Sequence, residues 1–456
     1  MSETRALSAF ATNLDYDDIP QEVIDHAKRM ILDVVGVSLA ATDANAVAIA
    51  EETLEGSVGD SMVGGGHATT HQIVGRGRTA DGFRAAMVNG ILGHMLDFDD
   101  AHLVMRGHPT APVWPAVLAV SEELGVSGTA FLRAFVAGVE TELVLGEILN
   151  PGHYEVGWHP TAVFGHLGAA TGAGSLLGLD TEEMRNALGI ATSQTGGVKA
   201  NFGTMTKPYH VGRAARAGIE AARLAENGFT GNPTILEEDF GGYFAIYEGD
   251  PSAAIDDHLT SLGDVWRTIE PPVHFKAHPC CGGTHEPIEA ALALRAEHDI
   301  DPETIESVSV HRHPRRIPHI DRPNPASGLE GKFSVQYAVT LALRKGDLWL
   351  DDFTDSAVRD PANQRLLERV TAREDSDLSE IETVVRVRTD GGDVYEGGLE
   401  QRSATSDEQL EAKFRRCAAA RLDDEQIDDL YEAITSLETL DDVNVLSKSL
   451  TPETAR

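Results

Sequence analysis

Apolar side chains recur every three to four positions through most of the first 260 residues, the spacing of helices with one buried face. Residues 5–55 read as two helices, broken at Ile19-Pro20; VIDHAKRMILDVVGVSLAA follows the break. Gly36 lies inside that run, where a glycine weakens a helix, so close packing by a neighbour is its structural reason. Residues 56–80 are Gly- and Thr-rich and polar, and read as a loop. From 81 to 260 helix follows helix. TAFLRAFVAGVETELVLGEIL is long and amphipathic, and TAVFGHLGAATGAGSLLGL has the small residues of a tightly packed buried helix. TEEMRNALGIATSQ opens with Thr181 and two glutamates, a start signal, and VGRAARAGIEAARLAENGF stops at Asn-Gly.

After residue 262 the period changes. IESVSVHRHP alternates like a strand, and IETVVRVRTDGGDVYEGGLE reads as a hairpin turning at Asp-Gly-Gly. THEPIEAALALRAEH and SVQYAVTLALRKG between them read as helices. DEQLEAKFRRCAAARL and DEQIDDLYEAITSLE are helical again. Two helices cannot make a core alone, so they return to the N-terminal body. The expected fold is mainly α with an α+β second domain. Residues 1–262 and 400–456 form a large all-α domain, and residues 263–399 form a smaller inserted α+β lid. SKSLTPETAR is expected to fray at the end.

Charge narrows the partners. The 456 residues carry 73 acidic and 37 basic side chains, a net charge of −36. That sign argues against nucleic acid and against an anionic membrane surface. No apolar run suits a membrane span, and MSETRALSAF lacks the pattern of a secretory signal. Three cysteines, Cys280, Cys281 and Cys417, make no disulfide framework, so a cytoplasmic location is expected. Only eight residues are lysine. An acidic surface stripped of lysine resembles that of proteins from salt-loving organisms, where high salt screens self-repulsion.

Five stretches carry chemistry. NGILGHMLDFDDAHLVMRGHP (89–109) places Asp97, Asp99, Asp100, His102 and His108 close together. Carboxylates beside imidazoles suit proton transfer at neutral pH, or a divalent metal. Gly107 and Pro109 fix the loop around His108. In GWHPTAVFGHLGAA, His159 sits just before a helix start, where backbone N–H groups favour anions; His166 reads as core. In GTMTKPYHVGRAARAG, Lys207 and His210 sit in a loop before a helix. HFKAHPCCGGTHEPIEA brings Lys276, His278, Cys280, Cys281 and His285 before another. GKFSVQYAV adds Lys332 and Tyr337. In a chain that has shed lysine, three lysines in helix-starting loops point to carboxylate binding. Cys280 or Cys281 as nucleophile, with His278 or His285 as base, is an alternative. An iron–sulfur cluster, a Walker loop and a dinucleotide fingerprint lack their spacings.

These stretches, together with LDVVGVSLA (32–40), GHPTAPVWPA (107–116), GLDTEEMRNALGIATSQTGG (178–197) and MTKPYHVGRAARAGIEAARLAENGFTG (205–231), resemble the MmgE/PrpD family over nearly the whole chain. That family includes 2-methylcitrate dehydratases and cis-aconitate decarboxylases. The resemblance implies a homodimer, a site between the two domains, and no metal or organic cofactor. It implies active-site positions at Asp97, His108, His159, Lys207, Lys276 and Tyr337; His102, His210, Cys281, His285 and Lys332 from the same stretches are expected as further substrate contacts. Decarboxylase-like members place a histidine where this chain has Cys281, and a threonine where it has Ala101.

The expected activity is that of a cofactor-independent hydro-lyase on a small tricarboxylate: dehydration of 2-methylcitrate in propionate metabolism, the methylcitrate cycle. Lys207 and Lys276 would stabilise charge on a substrate carboxylate, and His108 and His159 would serve as base and acid. Asp97 would orient an imidazole, and Tyr337 would donate to the leaving hydroxyl or to a carboxylate. The alternatives are cis-aconitate decarboxylation or epimerisation of an amino-dicarboxylate in the same family. More distant ones are a metal-dependent hydrolase built on Asp97, Asp99, Asp100, His102 and His108, and a non-catalytic homologue.

Overall fold

The computed structural model describes residues 2–55, 70–247, 255–400 and 404–452. Glycine and alanine set how closely the helices of the body approach. The Pro160–Leu177 helix runs through its centre, buried on nearly every side. The helices Thr110–Leu124, Gly128–Leu149 and Thr206–Glu226 pack around it. A Cβ on Gly218 of the last would stand 2.4 Å from the Ala169 Cβ, so only hydrogen fits at that crossing. The Thr206–Glu226 helix also crosses Gly82–Met95, where a Cβ on Gly212 would lie 2.2 Å from the Met87 carbonyl oxygen.

Both ends of the chain complete this body. Asp407–Ala418 lies along Gln21–Ala40, and a Cβ on Gly36 would come within 3.1 Å of Phe414, the close packing expected for that glycine. One apolar cluster accordingly joins Leu7 through Phe275 to Leu410 through Leu450. No single helix among the described residues is long and apolar enough to cross a membrane.

A second apolar cluster, from Cys280 to Val387, belongs to an α+β unit. Its sheet has the strand order Val370–Glu374, Ile305–Arg312, Thr383–Thr389, Val394–Leu399; the first pair is parallel and the others antiparallel. The helices His285–His298 and Val335–Lys345 supply the apolar partners of this sheet. Val385 and Val387 point inward by strand alternation. In Ile305–Arg312 a register shift at Ile305/Ser307 keeps Ile305, Val308, Val310 and Arg312 on the buried side. The expected hairpin turns at Asp390-Gly391-Gly392, with Gly392 at φ +90°.

Several expectations are corrected. Residues 5–55 hold three helices, Glu3–Asn13, Gln21–Ala40 and Asn45–Glu55, because Ala41 closes the second in a turn. The 56–80 stretch contains a small hairpin, His71–Ile73 with Arg78–Ala80; its 56–69 part lies outside the described residues. The helix after Gly178 begins at Thr181 as expected, and its cap is Asp180, in a capping box with Glu183. Of the terminal SKSLTPETAR, residues up to 452 pack rather than fray: Leu450 is buried and its carbonyl accepts the Gly75 N–H at 2.8 Å.

Candidate active site

The Gly82–Met95 helix ends just before Asp97, whose φ of +52° is left-handed and turns the chain sharply. The turn brings the Asp97 carboxylate to two lysines. Lys207 Nζ donates to Asp97 Oδ1 at 2.8 Å, and Lys276 Nζ donates to the same oxygen and to the Asp97 carbonyl, each at 2.8 Å. All three side chains are buried. Burial alone would raise the Asp97 carboxyl; Lys207 and Lys276 outweigh it and hold the group well below the usual carboxylate range. Burial works against the Lys276 ammonium, yet Asp97 and Asp99 raise it above its ordinary value.

Lys207 and His210 do not sit in a loop. Both belong to the Thr206–Glu226 helix, because Pro208 falls in its first turn, where no N–H is required. His159 is the N-cap of Pro160–Leu177, as its place in the sequence suggested. Its Nδ1 lies 3.2 Å from Nδ1 of His210, while its Nε2 is buried without a protein partner. His108 Nδ1 donates to the Asp100 carbonyl at 2.6 Å. That bond fixes the tautomer and leaves a lone pair on Nε2, 3.6 Å from Asp97 Oδ1. Burial pushes both His108 and His159 well below the ordinary imidazole value, so both are neutral bases at neutral pH.

These groups face a cleft of about 750 Å³ including its open mouth. Asp97, His108, His159, Lys207, Lys276, Cys281 and His102 all border it. So do Arg106, Arg312 and Arg316, which sequence reading did not single out, along with Tyr154 and His319. Arg312 arrives because the buried face of its strand runs on past the sheet core; its guanidinium lies 3.2 Å from Glu286. In a chain of net charge −36, five lysine and arginine side chains border this cleft against two carboxylates, Asp97 and Glu286. Such a wall selects anions.

Five expected contacts lie elsewhere or are already engaged. Tyr337 is fully buried behind the wall and its hydroxyl donates to the Asp352 carbonyl at 2.6 Å. Lys332 Nζ donates to the carbonyls of Leu96 and Pro279, at 2.8 and 2.6 Å, and so ties the Asp97 turn to the Lys276 loop. His285 begins its helix and borders a separate cavity with Trp349 and Lys413. His102 reaches the cleft, but its Nε2 bonds the Pro271 carbonyl and its Nδ1 accepts the Met105 N–H. His210 touches the site only through His159.

The five side chains proposed above for a metal do not converge. Asp100 Oδ2 accepts from Thr110 Oγ1, and His102 is engaged as described. Among the described residues, the group whose ligand atoms fall within 4.8 Å of one another is His94, Asp99 and His108. His94 Nδ1 is hydrogen-bonded to Asp99 Oδ2 at 2.7 Å, while His108 Nδ1, whose proton goes to the Asp100 carbonyl, lies 3.4 Å from the same oxygen. His94 was hidden in the sequence as one polar position in an apolar helix. The cysteines lack thiolate character, since burial raises the Cys281 thiol and pushes that of Cys280 up to about 12.

Comparison with known proteins agrees over the whole chain. Residues 5–254 match the MmgE/PrpD N-terminal domain and residues 278–438 the MmgE/PrpD C-terminal domain. The cis-aconitate decarboxylase of Mus musculus is 31% identical, over 98% of this chain and 93% of its own. That of Aspergillus terreus is 28% identical over 98% and 95%. The 2-methylcitrate dehydratase of Cupriavidus necator is 24% identical over 66% of this chain and 64% of its own.

Proposed function

The chain belongs to the MmgE/PrpD family, and on that premise we propose that it is a lyase of a small tricarboxylate, working through a carbanion beside a carboxylate. The observation that carries this reading is the cleft wall: Lys207 and Lys276 on one carboxylate oxygen, with two neutral imidazoles beside them. Each ammonium has further N–H bonds for a substrate carboxylate, whose charge grows as the α-carbon loses its proton. His108 Nε2, which carries the lone pair, takes that proton. His159, bordering the same cleft, handles the second proton: in a dehydration its minor protonated form, charged from solvent, delivers that proton to the departing hydroxyl.

Dehydration of 2-methylcitrate is the first reading. Ala101 and Cys281 both border the cleft, and neither a methyl nor a thiol raised by burial adds an acid–base group beyond the two imidazoles. Decarboxylation of cis-aconitate is the second, favoured by the greater span of likeness to the decarboxylases. There the carbanion forms by loss of carbon dioxide and is protonated by the minor, protonated form of one of these imidazoles, which takes its proton from solvent. Proton NMR of the protein with 2-methylcitrate, citrate or cis-aconitate distinguishes them. 2-Methyl-cis-aconitate supports the first reading and a methylene succinate the second. Folded protein that turns over none of the three sinks the tricarboxylate reading.

A further inference from the structure

A second open cavity, of about 1110 Å³, adjoins the catalytic cleft. Arg106, Tyr154, Phe202 and His319 border both. The second is otherwise walled by Lys199, Arg315 and Arg322, with Glu155 the single acidic residue of its lining. Lys199 Nζ stands 3.3 Å from the Tyr154 ring centroid and donates to the Tyr154 carbonyl at 2.6 Å. The Arg106 guanidinium lies 5.5 Å from the same ring. Arg322 donates to the Phe202 carbonyl at 3.2 Å, and Arg315 is within 3.7 Å of Glu155 and 3.2 Å of Glu380. Lys199 takes no part in the acid–base chemistry, yet it is one of only eight lysines in the chain. A cationic recess in an acidic protein concentrates anions where the field is focused.

We propose that this recess is the antechamber of the catalytic cleft: a polycarboxylate docks against Lys199 and Arg315, then passes the threshold formed by Arg106 and Tyr154. The assignment rests on the tricarboxylate reading of the cleft. Burial, followed by Arg106, lowers the Lys199 ammonium to about 8, while Glu155 and Cys281 act the other way. The groups facing it are therefore Arg106, Glu155, Tyr154 and Cys281. Docking weakens as pH rises through that value, and a guanidinium at the same place abolishes the decline.

The test is rapid mixing of the full chain with propane-1,2,3-tricarboxylate, a non-reacting probe. Trp158, bridged to Val198 beside Lys199, supplies the fluorescence. Lys199→Gln and Lys199→Gln/Arg315→Gln are expected to slow association by about three- to ten-fold, and to change dissociation by less than about two-fold. Lys199→Arg is expected to keep the rate and lose its alkaline fall. Arg315 is 58% exposed, so Arg315→Gln alone carries the test if the Lys199 variants do not fold. Unchanged association in variants of a protein that binds the probe overturns the antechamber alone. A wild-type protein that binds no tricarboxylate overturns both the antechamber and the reading of the cleft.

Discussion

One carboxylate oxygen shared by two ammonium groups leaves a net positive charge fixed in a buried place before any substrate arrives. Lys207→Met and Lys276→Met are each expected to lower kcat/KM by about 10²- to 10³-fold, with circular dichroism unchanged. The double variant is expected to lose less than the product of the two, since both act on one carboxylate; steady-state kinetics checks this. The imidazoles set the pH response. Because His108 and His159 are held below the ordinary imidazole value, they stay neutral as pH falls through it. The acid limb of kcat/KM is therefore expected below about pH 6.5, and a midpoint at or above it counts against these bases. Lys207 and Lys276 were legible in the sequence because lysine is scarce. Arg106, Arg312 and Arg316 were not, because with 37 basic residues and eight lysines, 29 are arginine and no single one stands out. Tyr337 misled for the opposite reason: a matching position carries no information about which side of a wall its hydroxyl faces.

At the scale of elements, the site depends on helices that approach without side chains between them. Lys207 and Gly212 share a helix, and Gly212 presses on the helix that leads to Asp97. Gly212→Ala is expected to cost about 1–3 kcal/mol in urea unfolding, and to lower kcat/KM as the Lys207–Asp97 contact loosens. Gly391→Ala, whose Cβ would meet nothing closer than 3.8 Å, is the control expected to change neither. Helices with a strong apolar period were legible, as was the hairpin at Asp-Gly-Gly. The Val370–Glu374 strand was missed because it is a short edge strand with only Val370 buried, so it shows no alternation. The His71–Ile73 hairpin was missed because its three-residue strands lie within a polar stretch.

For the whole molecule, charge is partitioned. Lys207, Lys276, Lys332 and Lys413 are all buried, so half of the eight lysines are interior while most of the acids are not. We propose that this is an adaptation to salt. The Tm is expected to rise steadily between about 0.1 and 2 M potassium chloride, as the Debye length shrinks from ~10 Å toward a few ångströms. A flat Tm over that range refutes the adaptation. The layout of two chain ends around one body was legible because the apolar helical period returns after residue 400. What the ends do for the site was not. Lys413 pairs with Asp33 at 2.7 Å and donates to the Phe98 carbonyl at 2.7 Å, within the turn that presents Asp97. The catalytic loop is thus pinned by a residue near the end of the chain. During synthesis, the chain carries every acid–base side chain of the cleft long before it can hold them in place. A ribosome stalled before the Asp407–Ala418 helix leaves an open apolar groove along Gln21–Ala40 and an unpinned loop. Activity is therefore expected to appear only once the Asp407–Ala418 helix has emerged.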